Sequence, residues 1–280
     1  MSICVICPMH GFGDMTKKCI DYTLKNAGVE LDILVVDDGS PDPFSDNRVS
    51  VLRLDKNVGF TGATNAGIMW ALERKYEYVL FLNNDTEPEP DFAKLLLEAL
   101  EKDPEIGIAG SARIIYGEKE QAFIENFGID LVSGYQAYTK EDLDKPIVYV
   151  AWLPICSALM STETIRYVGL LDKRMRIYCS DNDYCIRAQQ LGYRIALVPK
   201  SKIKHFHQHT TRFLKTWDDA TKDQKVLLEK LSCQLQIKLL DTYPLSWSDK
   251  SWGKLEFFVY TKDKEPYFVE DDKSVKPSTT

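Results

Sequence analysis

Basic residues are too few here for a general nucleic-acid binder. Lysine and arginine number 35 against 42 aspartates and glutamates, a formal net charge of −7, where a nucleic-acid footprint would be basic. Long hydrophobic runs are also lacking. The longest, residues 147–160, contains Pro154 and Ser157. It is too short to span a bilayer and reads as a buried segment, with no transmembrane helix. The first residues show neither the positive stretch nor the cleavage site of a secretory leader. Histidines number only four, and there is no internal repeat or low-complexity tract. Cysteines number seven, at 4, 7, 19, 156, 179, 185 and 233. An odd count without a leader argues against a disulfide framework and for a reduced, cytosolic chain. Cys4 and Cys7 form a CxxC, but inside an expected strand. A redox pair opens a helix, so core thiols are the reading.

What is present suits a folded enzyme-sized body. The chain has 280 residues, 44% apolar and 28% charged, which excludes wholesale disorder. Length allows one or two domains with a sizeable core. Short apolar runs at residues 2–7, 31–36, 49–54, 78–82 and 106–109 alternate with helical patterns at 15–26, 62–74 and 90–101. Such alternation predicts βαβ units and a mostly parallel sheet with helices on both faces. Residues 113–150 are less regular, with Ile114, Ile115, Tyr116, Tyr135 and Tyr138 suggesting short strands or ordered loops. Further on, a short helix is expected from Thr162, another over 183–191, a strand over 194–199 and an extended segment over 203–209. Val226, Leu227, Leu231 and Leu235 predict a helix over 217–240, packed on the main body.

Ligands of open α/β sheets sit beyond the carboxyl ends of the strands. Three polar clusters fall there: Pro8-Met9-His10-Gly11, Asp37-Asp38-Gly39-Ser40 and Asn83-Asn84-Asp85-Thr86. The second is an ordinary turn by composition; its other reading is a carboxylate that accepts from a base or ribose. The stretch 57–67 is glycine-rich but fits neither the dinucleotide fingerprint nor the Walker loop. It either packs a helix closely on the sheet or offers amides to phosphate or sugar oxygens. Asp85 could bind a hard divalent cation that keeps waters and takes substrate phosphates, or simply turn the chain toward Pro88 and Pro90. Ser180-Asp181-Asn182-Asp183 opens a helix, where carboxylates suit the dipole. Its apolar lead-in, Ile177-Tyr178-Cys179, could also desolvate a carboxylate into a base. His205, His207 and His209 share one face of an extended segment. One of them joining Asp85 is the economical metal reading.

In this order the clusters resemble glycosyltransferase family 2, on the GT-A fold, and especially its rhamnosyltransferase-like members. The matching stretches are 35–40, 57–67 and 82–86, then Gly169-Leu170-Leu171-Asp172, then 181–188, Gly192-Tyr193, Pro199 and His205. The resemblance implies an α/β protein with a Rossmann-like, mostly parallel central sheet flanked by helices. Residues 1–212 would be the GT-A domain, and 213–280 a C-terminal helical extension packed on it. It implies an inverting transfer from a UDP- or dTDP-linked sugar, rhamnose among the candidates, to a hydroxyl of a glycan or other acceptor. Asp181 takes the place of the base. Pro8, His10, Asp37, Asp38, Asn57, Gly62, Asn65 and Asn84 would bind the donor nucleotide. Asp85 and His205 would hold a divalent metal, Mn2+ or Mg2+. Trp152, Ser157, Ser180 and Asp183 would form the acceptor pocket. The implied location is the cytoplasm, with room for peripheral attachment to a membrane.

Two departures from the family pattern stand out. Asn occupies both 83 and 84, which leaves one carboxylate in the metal motif. Ser180 stands where the family often has Glu, which leaves acceptor identity open. Two other readings share the fold. A non-catalytic sugar-nucleotide or glycan-binding module would not need both Asp85 and Asp181. A nucleotidyltransferase would carry a basic, glycine-rich loop after the first strand, and residues 8–13 hold no Lys or Arg.

Overall fold

The computed structural model describes residues 2–116, 122–124, 144–206, 217–235, 258–261 and 264–268. The first half alternates as its hydrophobic pattern requires: β1 (Ile3–Met9), α1 (Gly13–Asn26), β2 (Asp32–Asp37), β3 (Ser50–Arg53), α2 (Gly59–Glu73), β4 (Tyr78–Leu82), β5 (Thr86–Pro88), α3 (Phe92–Lys102) and β6 (Ile106–Tyr116). There follow β7 (Ala122–Ile124), β8 (Val148–Val150), β9 (Ser157–Ser161), α4 (Thr162–Val168), α5 (Ser180–Gln190), β10 (Arg194–His205) and α6 (Trp217–Leu235). A small antiparallel pair, β11 (Phe258–Thr261) and β12 (Lys264–Phe268), comes last.

One sheet runs through the molecule in the order β3-β2-β1-β4-β9-β6-β10-β5, with β7 beside β6 and β8 beside β10. Strands β1 to β4 are mutually parallel, and β6 and β10 run with them. The insertion of β9, antiparallel to both β4 and β6, joins the two parallel blocks. The parallel strands end on one edge of the sheet, where the polar clusters following β1, β2 and β4 come together.

Strand alternation splits the core in two. Val5 and Cys7 face α1 and α3, among Cys19, Ile20, Phe92, Leu96 and Leu100. Cys4 and Ile6 face the opposite layer, among Ala63, Ile68, Tyr184, Ile186 and Leu227 from α2, α5 and α6. The CxxC thiols therefore lie on opposite faces of the sheet, each buried and free. Gly67 lets α2 approach the sheet, because a Cβ there would collide with Ile6 and crowd Val36. The spacing of Phe92, Leu96 and Leu100 turns one stripe of α3 inward. Burial of such a leucine contributes about 2 kcal/mol.

Several elements differ from the sequence reading. The expected run 106–109 is the start of an eleven-residue strand. The strand at 194–199 and the segment after 203 form one strand, β10, whose pairing with β6 shifts between Val198 and Lys202. Pro199 sits in that irregularity, where its missing N–H costs no ladder bond. The chain beyond 213 is not wholly helical: α6 is followed by the β11–β12 pair. Tyr135, Tyr138, His207, His209 and residues 236–240 lie outside the described residues.

Candidate active site

A cleft of about 510 Å³ opens at the carboxyl edge of the sheet. Its first wall is built on β1 and β2. The chain leaves β2 at Asp37 and Asp38, which diverge in role because successive strand residues face opposite ways. Asp37 is fully buried. Its carboxylate accepts from the amides of Ser40 (2.9 Å) and Phe44 (3.1 Å) and from Arg53 Nη1 (2.5 Å). Burial pulls its pKa up, but these donors outweigh it and hold the group below the usual carboxylate value. Asp37 thus braces the turn and does not line the cleft. The carboxylate expected at the nucleotide is engaged here by Ser40, Phe44 and Arg53.

Asp38 does line the cleft. Its two carboxylate oxygens accept from the amides of Val58 (2.7 Å) and Gly59 (2.9 Å). Those amides open α2, so Asp38 caps that helix from across the sheet edge. The amides of the glycine-rich stretch are consequently spoken for at this point. Gly59 has φ +83, and a Cβ on it would lie 2.7 Å from the carbonyl oxygen of Arg176. Burial pushes the pKa of Asp38 up, against the pull of the Val58 and Gly59 amides, His10 and Arg176. His10 Nδ1 meets the Asp38 carbonyl at 2.8 Å. A carbonyl only accepts, so Nδ1 carries the proton and Nε2 is the nitrogen left for other partners.

The floor is set by β4, β5 and β10. Asn84 and Asp85 leave β4, and the antiparallel register of β5 with β10 places Thr86 opposite His205. The Phe206 amide donates to the Asp85 carbonyl at 3.0 Å. The two side chains then converge, His205 Nε2 to Asp85 Oδ1, at 3.1 Å. Asn84 donates to Thr16 Oγ1 at 3.0 Å, which ties the loop to α1.

The far wall carries Asp181, in the first turn of α5. The preceding Cys179 adopts a left-handed conformation, φ 63, and swings the helix start toward the cleft. Asp181 is partly buried at the cleft wall, and desolvation raises its pKa from 3.8 to about 6, against the pull of nearby amides and of Arg113. Such a carboxylate is ionised at neutral pH and basic enough to accept a proton. Arg113, near the end of β6, lines the same cleft and is buried. The backbone between Trp152 and Ser157 contributes Pro154, Ile155 and Cys156 to this wall.

Of the residues chosen from sequence, Pro8, His10, Asp38, Asn57, Asn84, Asp85, Asp181 and His205 meet in the cleft. The others lie outside its lining. Asn65 exchanges two hydrogen bonds with the Leu171 backbone, at 2.9 and 3.0 Å, and locks α2 to the loop before α5. Gly62 packs within α2 against Val58. Trp152 is a core residue. Ser157 belongs to a buried hydroxyl chain, Ser157–Ser111–Ser201, with links of 2.8 and 2.7 Å. Ser180 accepts from Thr61 Oγ1 at 2.9 Å. Asp183 pairs with Arg187 at 2.9 Å and with Lys230. Trp152, Ser157, Ser180 and Asp183, expected at the acceptor, are buried and lie outside the lining of this cleft.

Sequence reasoning missed Arg113, Arg176, Tyr178 and Asp219, all of which line the cleft. Arg113 was the most visible, a charge inside the apolar run of β6. Arg176 and Asp219 carried no local signal, since α6 brings them together at 3.1 Å.

A divalent cation fits this donor set only in part. Asp85 supplies oxygen and His205 nitrogen at one point of the cleft. Among the described residues no group of three or more such side chains converges. A pair of this kind suits a cation that keeps waters and takes its other ligands from a substrate diphosphate.

A mixed sheet of this order, with its cleft at the carboxyl edge, defines a GT-A glycosyltransferase architecture. The crystal structure of GalNAc-T7 with UDP, GalNAc and Mn2+ superposes with a TM-score of 0.60 at 15% identity, over 74% of this chain and 44% of that one. The glycosyl transferase family 2 model matches residues 4–150, more than half of the chain, and the chain belongs to that family. Undecaprenyl-phosphate mannosyltransferase of Micrococcus luteus is 28% identical over 202 residues, 63% of this chain and 73% of its own length. A dTDP-rhamnosyl transferase of Shigella flexneri is 24% identical over 167 residues, 56% of this chain and 52% of its own. The chain thus spans about half the length of the second relative and less than half of the superposed structure. Among the described residues no helix is long and apolar enough to cross a membrane.

Proposed function

We propose that this chain moves a sugar from a UDP- or dTDP-linked donor to a hydroxyl of a glycan or other acceptor, with inversion at the anomeric carbon. The observation that carries the reading is the meeting of Asp38, Asp85, Asp181 and His205 in one cleft, although they come from four separate parts of the chain. Residues 1–212 form the catalytic domain in this reading, and α6 packs on it through Leu227.

The nucleoside lies along the wall of Pro8, His10, Asp38 and Asn57. Both Asp38 oxygens are engaged by amides, but each keeps a second lone pair for a base or ribose donor. Asp85 and His205 would hold a divalent cation, Mn2+ or Mg2+, which when bound neutralises charge on a diphosphate. The acceptor hydroxyl approaches from the side of Asp181. Its oxygen forms a bond to the anomeric carbon as the bond to the diphosphate oxygen breaks, and the diphosphate leaves with that electron pair. Asp181 takes the hydroxyl proton. The buried walls hold both reactants in line and exclude water, so positioning contributes beside charge. No covalent enzyme intermediate is needed.

The names of the relatives support finer points. The Shigella flexneri relative, a dTDP-rhamnosyl transferase, supports rhamnose among the candidate sugars. The Micrococcus luteus relative, named for undecaprenyl phosphate, supports a place at the periphery of a membrane. The test is a thermal-shift screen of nucleoside diphosphate sugars with and without Mn2+. A donor at 100 times its dissociation constant stabilises the fold by about 2.7 kcal/mol. The reading fails if no nucleoside diphosphate sugar moves the midpoint.

A further inference from the structure

Three consecutive residues of the cleft wall, Arg176, Ile177 and Tyr178, present their backbone amides to a single carboxylate. That carboxylate belongs to Asp223 of α6. Its Oδ1 accepts from the Arg176 amide at 2.9 Å, and its Oδ2 accepts from Ile177 at 2.8 Å and Tyr178 at 2.9 Å. The group is 2% exposed. One helical turn earlier, Asp219 accepts from Arg176 Nη1 at 3.1 Å. The other end of the Arg176 guanidinium donates to Asn57 Oδ1, and the Arg176 carbonyl accepts from the Thr61 amide at 3.1 Å. Further along, Lys230 pairs with Asp172 at 2.9 Å and with Asp183. Asp219, Asp223, Leu227 and Lys230 recur at helical spacing, so one face of α6 makes all these contacts. Leu227 buries the same face in the core.

We propose that α6 is part of the donor site and that Asp223 is a positioning residue for it. The argument rests on the sugar-nucleotide reading above and adds a part of the chain outside residues 4–150, the span that the family model matches. Three N–H dipoles that converge on one point repel one another unless an acceptor stands there. A buried carboxylate that accepts from all three orders them as a unit. The ordered loop sets Arg176 across the start of α2, beside Gly59 and Asn57, where the nucleoside side of the cleft lies. It also fixes the approach to Cys179 and hence the start of α5, which bears Asp181. Among the described residues, α6 borders the cleft only through this loop and Asp219.

The experiment uses the full chain, with UDP and dTDP as probes, each with Mn2+, read by calorimetry and by amide hydrogen exchange. Asp223→Asn keeps the shape but removes the charge. It should weaken binding of the better nucleotide at least tenfold and speed exchange at residues 176–178 by a similar factor. Lys225→Ala, on the exposed side of the same helix, should change neither. A merely structural role would lower the yield of folded protein but leave the affinity of the folded molecules unchanged. In the wild-type chain, nucleotide binding should also slow exchange along 219–230, since coupling is reciprocal. This arm stands even if Asp223→Asn fails to fold. Nucleotide binding that leaves 219–230 unchanged overturns the proposal. So does faster loop exchange in Asp223→Asn with unaltered affinity. A wild-type chain that binds neither nucleotide overturns the donor reading as well. It differs plainly from failure of the α6 role alone, in which wild type and variant bind equally.

Discussion

His205 Nε2 lies 3.1 Å from Asp85 Oδ1, although 120 residues separate them in the chain. The short antiparallel pairing of β5 with β10 creates this meeting, because it sets Thr86 opposite His205. Strand register therefore sets His205 against the carboxylate. The first prediction follows from the pair. Asp85→Ala should weaken Mn2+-dependent binding of UDP or dTDP by about tenfold or more, since loss of a charged ligand leaves one protein donor. Titration calorimetry in Mn2+ and in chelator checks it. Equal affinities in both would remove Asp85 from the metal role.

Asp181→Asn should lower turnover by about 10²–10⁴-fold, the usual scale for a lost general base. Nucleotide affinity should stay within about threefold of wild type. The same variant should be more stable at neutral pH. The folded state raises the Asp181 pKa from 3.8 to about 6, so it binds the proton more tightly than the unfolded chain does. Ionisation then costs stability as pH rises through that window, and the full cost stands above it. Removal of the charge should recover on the order of 2 kcal/mol at pH 7.5. Denaturant melts of the two proteins at pH 7.5 and pH 4 test it. The gain should shrink at the lower pH.

Transfer by the wild type should fall on the acid side with a midpoint near 6, where Asp181 takes up its proton. Arg113 pulls that pKa down by its charge. Arg113→Gln should therefore move the acidic limb to higher pH, by about half a unit or more for a buried charged neighbour. A pH–rate profile whose limb stays in place would separate Arg113 from the base.

Asp38→Asn should raise the donor dissociation constant by about tenfold and slow the bound reaction less. The carboxylate holds the amides of Val58 and Gly59. Its loss loosens the start of α2, at a stability cost of about 1 kcal/mol, typical of a helix cap. Single-turnover kinetics at saturating donor make the distinction. A pure rate defect would move base and ribose recognition elsewhere.

Much of the architecture was legible along the chain because burial imposes periodicity. The runs in β1, β2 and β4 are apolar on both faces since helices cover both sides of the sheet, and that continuity is visible in the residues. The clusters after those strands were legible for a related reason: polar loops at strand ends fall on one edge of a parallel sheet. Which polar residues line the cleft was not distinguishable in this way. Asp37 and Asp38 are neighbours of identical chemistry, yet one is sealed among Ser40, Phe44 and Arg53 and the other faces the cleft. Ser157 and Asp183 looked like acceptor contacts, but their partners Ser111 and Lys230 arrive from β6 and α6.

The sequence by itself determined the alternation of strands and helices, the reduced core thiols and the order of the polar clusters. These depend on hydrophobic spacing and on local turn chemistry, which act over a few residues. Only the tertiary structure decided which carboxylates reach the cleft, that His205 meets Asp85, and that α6 holds the wall beside Asp181 through Asp223. A hydrogen bond or ion pair is fixed by a few ångströms of separation between groups far apart in the chain. No local pattern carries that distance; strand register and helix packing do.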